Sequence, residues 1–322
     1  MQEPYLILGI GELLWDILPD RAQPDGARAD LPSPTKLLGG APANFAVMAG
    51  RLGDHAAILS RIGRDDLGRE AVAQLEPQPV DTSFLQVDPL HETGRVTVRV
   101  EGGQPAYTIH RPAAWDFLEL TGEWVQLAER ADAICFGSLA QRAPQSRQTI
   151  QALAAQTPER CIRVFDVNLR EPFYSSETIQ ESIELATVLR SNEVELPQVL
   201  ALLGLSGEEE RGGRALFAGA RRLLEEFPAL NLIAVTRGAR GSLLVTREEK
   251  HEHAGFRTKV ADTIGAGDAF TAAVVHYKLR GANLPTMNDA GNRWGAWMAS
   301  QAGAMPPLPD SVRDRVAAAI EE

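Results

Sequence analysis

Hydrophobic positions along the chain fall into two patterns. Short apolar runs occur at residues 5–10, 56–60, 133–136, 161–166, 187–190, 231–236 and 242–246. Runs of this length predict strands buried on both faces. From residue 123 onward they alternate with stretches of helical spacing at 123–130, 145–156, 176–186, 193–203, 212–226, 267–280, 286–300 and 310–321. Two earlier helices are predicted as well. Phe45, Met48, Ala49 and Leu52 form a stripe that Pro42 opens and Gly53 stops, and residues 68–75 form the other. Strand–helix alternation of this kind predicts a three-layer α/β/α domain built on a mainly parallel sheet. One segment departs from it. Gly94 to Val100 alternates with period two, Gly102-Gly103 signals a hairpin, and Ala106 to His110 follows as a second strand. Alternation suits a half-exposed sheet, so this part reads as a small β flap standing off the main body. Arg21 to Leu37, Arg61 to Gly68 and Gly204 to Gly213 read as loops, and His251 to Lys259 is polar with no helical period.

Composition narrows the function classes. A chain of 322 residues suits two domains or one large α/β domain. The net charge of -11 argues against a nucleic-acid or anionic-membrane surface. A nucleotide would need a local positive site made from helix ends, a few arginines and metal ions. Cys135 and Cys161 each lie in an apolar run, which excludes a disulfide framework and fits a reducing cytoplasm. Met1-Gln2-Glu3 opens no signal peptide, and no apolar run approaches the ~20 residues of a membrane span. The expected localisation is cytoplasmic, with no nucleic acid and no membrane as partner.

The candidate chemistry centres on Ala261 to Thr271, where Gly265-Ala266-Gly267 opens a helix and Asp268 stands in its first turn. A helix N-terminus offers unpaired N–H groups and partial positive charge to an anion. An anion hole beside a carboxylate suits phosphoryl transfer to a hydroxyl, the carboxylate accepting the proton. The plain alternative is a tight turn with Asp268 as a cap. No Lys-Ser or Lys-Thr follows the glycines, so this is not a Walker A loop. Leu38 to Gly53 is the second such stretch; there Asn44 sits in the first turn facing Gly39-Gly40, either as a local cap or as a ligand contact. Gly9-Ile10-Gly11 hints at a dinucleotide fingerprint, but Leu14 occupies the third glycine position. Asp16 follows Trp15 as a surface carboxylate or a sugar-hydroxyl acceptor. His251 and His253 read as solvated rather than metal-ligating.

Gly39-Gly40-Ala41-Pro42-Ala43-Asn44 and Asp262-Thr263-Ile264-Gly265-Ala266-Gly267-Asp268 together resemble the two signatures of the ribokinase (PfkB) family of sugar and nucleoside kinases. Three further landmarks follow the family's order, so the resemblance spans essentially the whole chain. Phe165 to Arg170 is similar to its Asp-x-Asn-x-Arg strand end, Asn192 to Glu195 to its Asn-x-x-Glu motif, and Thr236 to Gly241 to its Thr-x-Gly-x-x-Gly nucleotide loop. Gly11 to Asp16, Phe136 to Ser138 and Asn168 to Arg170 look most like the fructokinase branch.

The resemblance implies a single ribokinase-like kinase domain over 1–322, with a lid formed by about 12–36 and 92–115. It implies ATP with Mg²⁺, possible use of K⁺, and phosphorylation of the primary hydroxyl of a small sugar, D-fructose first. 2-Keto-3-deoxygluconate kinase, ribokinase and a non-catalytic sugar-binding regulator are the alternatives. Asp268 would be the general base, and Gly265, Ala266 and Gly267 the anion hole. Asp16, Gly40, Asn44, Arg111 and Arg170 would meet the sugar or the phosphate. Asn192, Thr236, Gly238, Gly241 and Asn292 would serve the nucleotide, and Glu195 would organise water around Mg²⁺. Asp262 and the Ile264 carbonyl would hold the monovalent cation. Where many relatives carry basic residues before the glycine matching Gly303, this chain has Gln301 and Ala302, leaving backbone carbonyls for that side of the cation site. Homodimerisation through the lid is a further implication.

Overall fold

The structure, a computed structural model, describes residues 4–18, 35–101, 104–207 and 213–321. Most of the Arg21–Leu37 segment, the Gly102-Gly103 hairpin signal and residues 208–212 of the Gly204–Gly213 loop lie outside these residues. The strands are β1 (Leu6–Ile10), β2 (Leu14–Leu18), β3 (Thr35–Gly39), β4 (His55–Leu59), β5 (Arg61–Gly63), β6 (Gln86–Asp88), β7 (Gly94–Glu101) and β8 (Gln104–Ile109), then β9 (Ala133–Gly137), β10 (Ile162–Asp166), β11 (Val188–Asn192), β12 (Leu232–Thr236), β13 (Ser242–Val245) and β14 (Lys250–His253). The helices are α1 (Ala41–Arg51), α2 (Asp66–Leu75), α3 (Gly122–Ala128), α4 (Pro144–Gln156) and α5 (Ser176–Leu185), then α6 (Glu195–Leu202), α7 (Gly213–Glu226), α8 (Ala266–Leu279), α9 (Leu284–Ala299) and α10 (Asp310–Glu321).

Strands β14-β13-β12-β11-β10-β9-β1-β4 form one sheet of eight in that order. All its pairings are parallel except those of β13 with β12 and with β14. Successive side chains of a strand point to opposite faces, so Ile7 packs with α1, α2, α8 and α9 on one face. Leu8 and Ile10 pack with α3 to α7 on the other. The apolar runs are continuous because both faces are covered, and both cysteines are buried in them. Strands β3-β2-β7-β8 form a second sheet. It holds the predicted flap and adds β2 and β3, so Thr35 to Leu37 is strand rather than loop.

Three other differences have local causes. Arg61–Gly63 and Gln86–Asp88 are too short for a period to register, yet they pair as a two-stranded sheet. Lys250–His253 is polar because β14 is the edge strand of the large sheet, with side chains alternating between exposed and half-buried. Helix α2 begins at Asp66, capped by Asp65 accepting from the Gly68 N–H at 2.8 Å. Among the described residues no helix is long and apolar enough to cross a membrane.

Candidate active site

Parallel strands direct their C-terminal ends to one edge of the sheet, where loops and helix N-termini gather. The chain leaves β1 through Gly11 and Glu12 and returns at Gly40, the residue before α1. Gly40 has φ 116°, and a Cβ there would lie 2.2 Å from the Glu12 carbonyl oxygen. Only glycine lets these two backbones meet. The approach puts the first turn of α1 over the end of β1, with Asn44 buried in it.

Helix α8 starts at the same place. Gly265, at φ 76°, turns the chain left-handed into it. The N–H groups of Gly267 and Asp268 then fall in the first turn, where the helix supplies no acceptor. That of Ala266 donates to the Thr263 carbonyl at 3.3 Å. The two helices pack together, and Asn44 Nδ2 donates to Asp268 Oδ2 at 2.8 Å. Asn44 is thus a partner of the carboxylate rather than a cap of its own helix. Asp262 holds the turn before α8, accepting from the Ile264 N–H at 3.1 Å and the Gly303 N–H at 3.3 Å.

Several carboxyls surround this point. Burial first, then the neighbouring Asp166 carboxylate, pushes Asp268 up to about 6, against the Asn44 bond and the Arg190 and Arg170 charges. Glu12 is 2% exposed, and burial pushes its carboxyl up to about 7. Its Oε2 has no hydrogen-bond partner among the described residues. Asp16, on β2 of the smaller sheet, lies with Oδ2 3.5 Å from where a Cβ of Gly39 would be. Burial raises it to about 6, while Arg170 pulls it down. Arg170 is exposed, in the loop after β10, and its charge reaches Glu12, Asp16, Glu195 and Asp268. The structure therefore brings Asp16, Gly40, Asn44, Arg170, Gly265, Gly267 and Asp268 to one end of the sheet.

The nucleotide-side residues are tied into local structure. Asn192 Oδ1 accepts from the N–H groups of Val194 and Glu195 at 2.8 and 2.9 Å, and Glu195 Oε2 accepts from the Asn192 N–H at 2.9 Å. The Asn-x-x-Glu motif is a reciprocal cap at the start of α6. Glu195 Oε1 also accepts from the Leu169 N–H at 3.2 Å, tying α6 to the Arg170 loop. Thr236 closes β12 beside the turn at Gly238 and Gly241, both at positive φ. Asn292, on α9, donates to Ser242 Oγ at 2.6 Å and to the Asn288 carbonyl at 2.7 Å, so its amide is engaged on β13. Arg111 lines a cavity of about 660 Å³ with Arg142 and Phe173.

Three charged residues at the site carried no role in the sequence reading: Glu12, Asp166 and Arg190. Their signal is a charge at the end of an apolar run, since Asp166 and Arg190 close the runs that became β10 and β11.

The model of the pfkB family carbohydrate kinases matches residues 6–311. Fructokinase of Escherichia coli is 31% identical over 322 residues, covering 93% of this chain and 95% of its own. A sugar kinase of Pyrococcus horikoshii, solved in complex with ATP, superposes with a TM-score of 0.79 at 28% identity, over 98% of this chain and 99% of its own. Fructokinase of Vibrio cholerae O395, with fructose, ADP and calcium bound, gives a TM-score of 0.77 at 28% identity, over 97% and 98%. A double mutant of that enzyme carries fructose, ADP and potassium.

Proposed function

The chain belongs to the pfkB family of carbohydrate kinases, and on that premise we propose that it transfers the γ-phosphoryl group of ATP to the primary hydroxyl of D-fructose, giving fructose 6-phosphate. The Asn44–Asp268 hydrogen bond carries the reading. It fixes one carboxylate oxygen beside the open first turn of α8 and leaves the other to accept a hydroxyl proton. At about 6, Asp268 is ionised at neutral pH and more basic than a free aspartate. That is still far below an alcohol, so the proton moves late, as a loose transition state allows.

The N–H groups of Gly267 and Asp268, aided by the positive end of α8, would hold the phosphoryl oxygens, with Gly265 and Ala266 shaping the turn. Asp16, Gly40 and Asn44 would hold sugar hydroxyls, and Arg170 would meet sugar or phosphate. Thr236, Gly238, Gly241, Asn192 and Asn292 would border the nucleotide. Among the described residues no cluster of three His, Cys, Asp or Glu side chains stands ready for a metal ion. This fits Mg²⁺ entering with the nucleotide, near Glu195 through water, where it would neutralise phosphate charge. Asp262 accepts one N–H at each oxygen. A carboxylate has about four acceptor positions, so Asp262 with the Ile264 carbonyl keeps capacity for a monovalent cation such as K⁺.

The smaller sheet would close over the sugar as a lid, carry Arg111 toward it and exclude water. Among the described residues β8 is its last strand, with Tyr107 exposed. Two copies would pair there, and molar mass in solution tests this.

The deciding assay is ADP release from ATP and Mg²⁺ with fructose, ribose, 2-keto-3-deoxygluconate, glucose and adenosine, with and without K⁺. Turnover of fructose is expected. Turnover of 2-keto-3-deoxygluconate without fructose would replace the substrate and keep the role of Asp268.

A further inference from the structure

A buried ion pair lies under the first turn of α8. Arg190 Nη1, in the middle of β11, donates to Asp166 Oδ1, at the end of β10, at 3.0 Å. The two side chains are 10% and 3% exposed. Arg190 Nη2 reaches Thr236 Oγ1 at 3.3 Å, while Nε has no partner among the described residues. The guanidinium also lies against Gly267. A Cβ on that glycine would sit 2.0 Å from Nη2, 2.8 Å from Cζ and 3.3 Å from Nη1, the three nearest atoms.

The charges make this position consequential. Asp166, Glu195 and Asp268 all act on Arg190, so three carboxylates gather around this one guanidinium. Arg170 is exposed. Arg190 is the buried cation among them, and its charge is permanent. The guanidinium lies against Gly267, the residue whose N–H the proposed function assigns to the phosphoryl oxygens.

We propose that Arg190 is a positioning residue for phosphoryl transfer, a fixed guanidinium held by Asp166 that backs Gly267 and biases the anion hole toward the transferring phosphoryl group. It rests on the reading of Gly265 to Gly267 as that hole. Arg190 touches neither sugar nor the moving group. It acts through the Gly267 backbone and through the field at Asp268. A preorganised charge of this kind favours the transition state over bound ATP.

The test uses Arg190→Met, Arg190→Lys and the double variant Arg190→Met/Asp166→Asn. The double variant removes the Asp166 carboxylate that would otherwise lose its hydrogen-bonded partner. The readouts are kcat and KM with D-fructose, and the affinity for MgADP with and without aluminium fluoride as a stand-in for the moving group. Arg190→Met and the double variant should lose about 30-fold in kcat, with KM for fructose and MgADP affinity changed less than about threefold. The tightening of MgADP by aluminium fluoride should fall by a similar factor, and Arg190→Lys should recover part of both. A folded double variant with kcat within about twofold of wild type and full tightening would overturn the proposal, leaving Arg190 as a partner of Asp166 only. Equal weakening of MgADP with and without aluminium fluoride would overturn it too. Wild-type protein that shows no tightening at all would instead remove the anion-hole reading.

Discussion

Asn44 and Asp268, 224 residues apart in the chain, share a hydrogen bond of 2.8 Å. The contact joins the first turns of α1 and α8 and engages one oxygen of Asp268. Replacing Asp268 by Asn keeps the shape and a hydrogen bond but removes the proton acceptor. We expect kcat to fall by roughly 10²-fold or more, with the melting temperature no lower than wild type. A folded Asp268→Asn enzyme at near wild-type rate would remove the base assignment and leave the family membership standing.

The same contact sets a pH dependence. Asp268 must be ionised to accept a proton, and its carboxyl stands at about 6. The sugar kcat/KM should therefore fall below about pH 6, by up to ~10-fold per unit. The hydrogen bond from Asn44 favours the charged form, so Asn44→Ala should move this limb to higher pH. Asp166 and Glu12 push the same way, and Arg190 and Arg170 oppose them. A limb that stays in place in Asn44→Ala would show that another group controls it.

Much of this arrangement was legible in the chain. The glycines at 265 and 267 mark the turn that opens α8, and the continuous apolar runs mark strands covered on both faces. What the sequence hid was long-range. Asn44 as partner of Asp268 rather than a cap, and Arg190 behind Gly267, arise from pairings between distant elements that no local pattern encodes. Lys250–His253 was hidden for another reason. An edge strand buries too little to look apolar, and it took the pairing with β13 to define it. The Asn-x-x-Glu motif points to chemistry in the sequence, whereas its local work in the structure is to start α6.

That cap yields a prediction of its own. Asn192→Ala removes an acceptor for two N–H groups at the start of α6 and should cost about 1 kcal/mol of stability. Thermal unfolding checks it. Nucleotide affinity should weaken in the same variant if Asn192 also borders the phosphates. A destabilised variant with unchanged KM for ATP would assign the residue to the cap alone.

Asp16 tests the sugar side. It stands on β2 of the smaller sheet, with Oδ2 3.5 Å from where a Cβ of Gly39 would be. Asp16→Ala should raise the KM for sugar about 10-fold or more and change kcat less, since hydroxyl contacts made in both ground and transition state act on binding. A drop in kcat with no change in KM would place Asp16 with the chemistry instead.

Glu12 offers a test on stability rather than rate. Its carboxyl stands at about 7 in the folded protein against an ordinary 4.5. A carboxyl raised on folding takes up a proton as the chain folds. It therefore adds stability at low pH and withdraws it as pH rises from about 4.5 through 7. The shift amounts to about 3 kcal/mol between the two limits. Glu12→Gln keeps the buried shape without the charge, so it should melt at a temperature close to wild type at pH 5 and above it at pH 8. Other carboxyls, such as Asp65 and Asp88, are lowered on folding. Their effect falls at lower pH and is shared by both proteins. Melting curves of the pair from pH 5 to 8 isolate the Glu12 contribution, and parallel curves would mean that Glu12 stays ionised in the fold with a partner for its second oxygen.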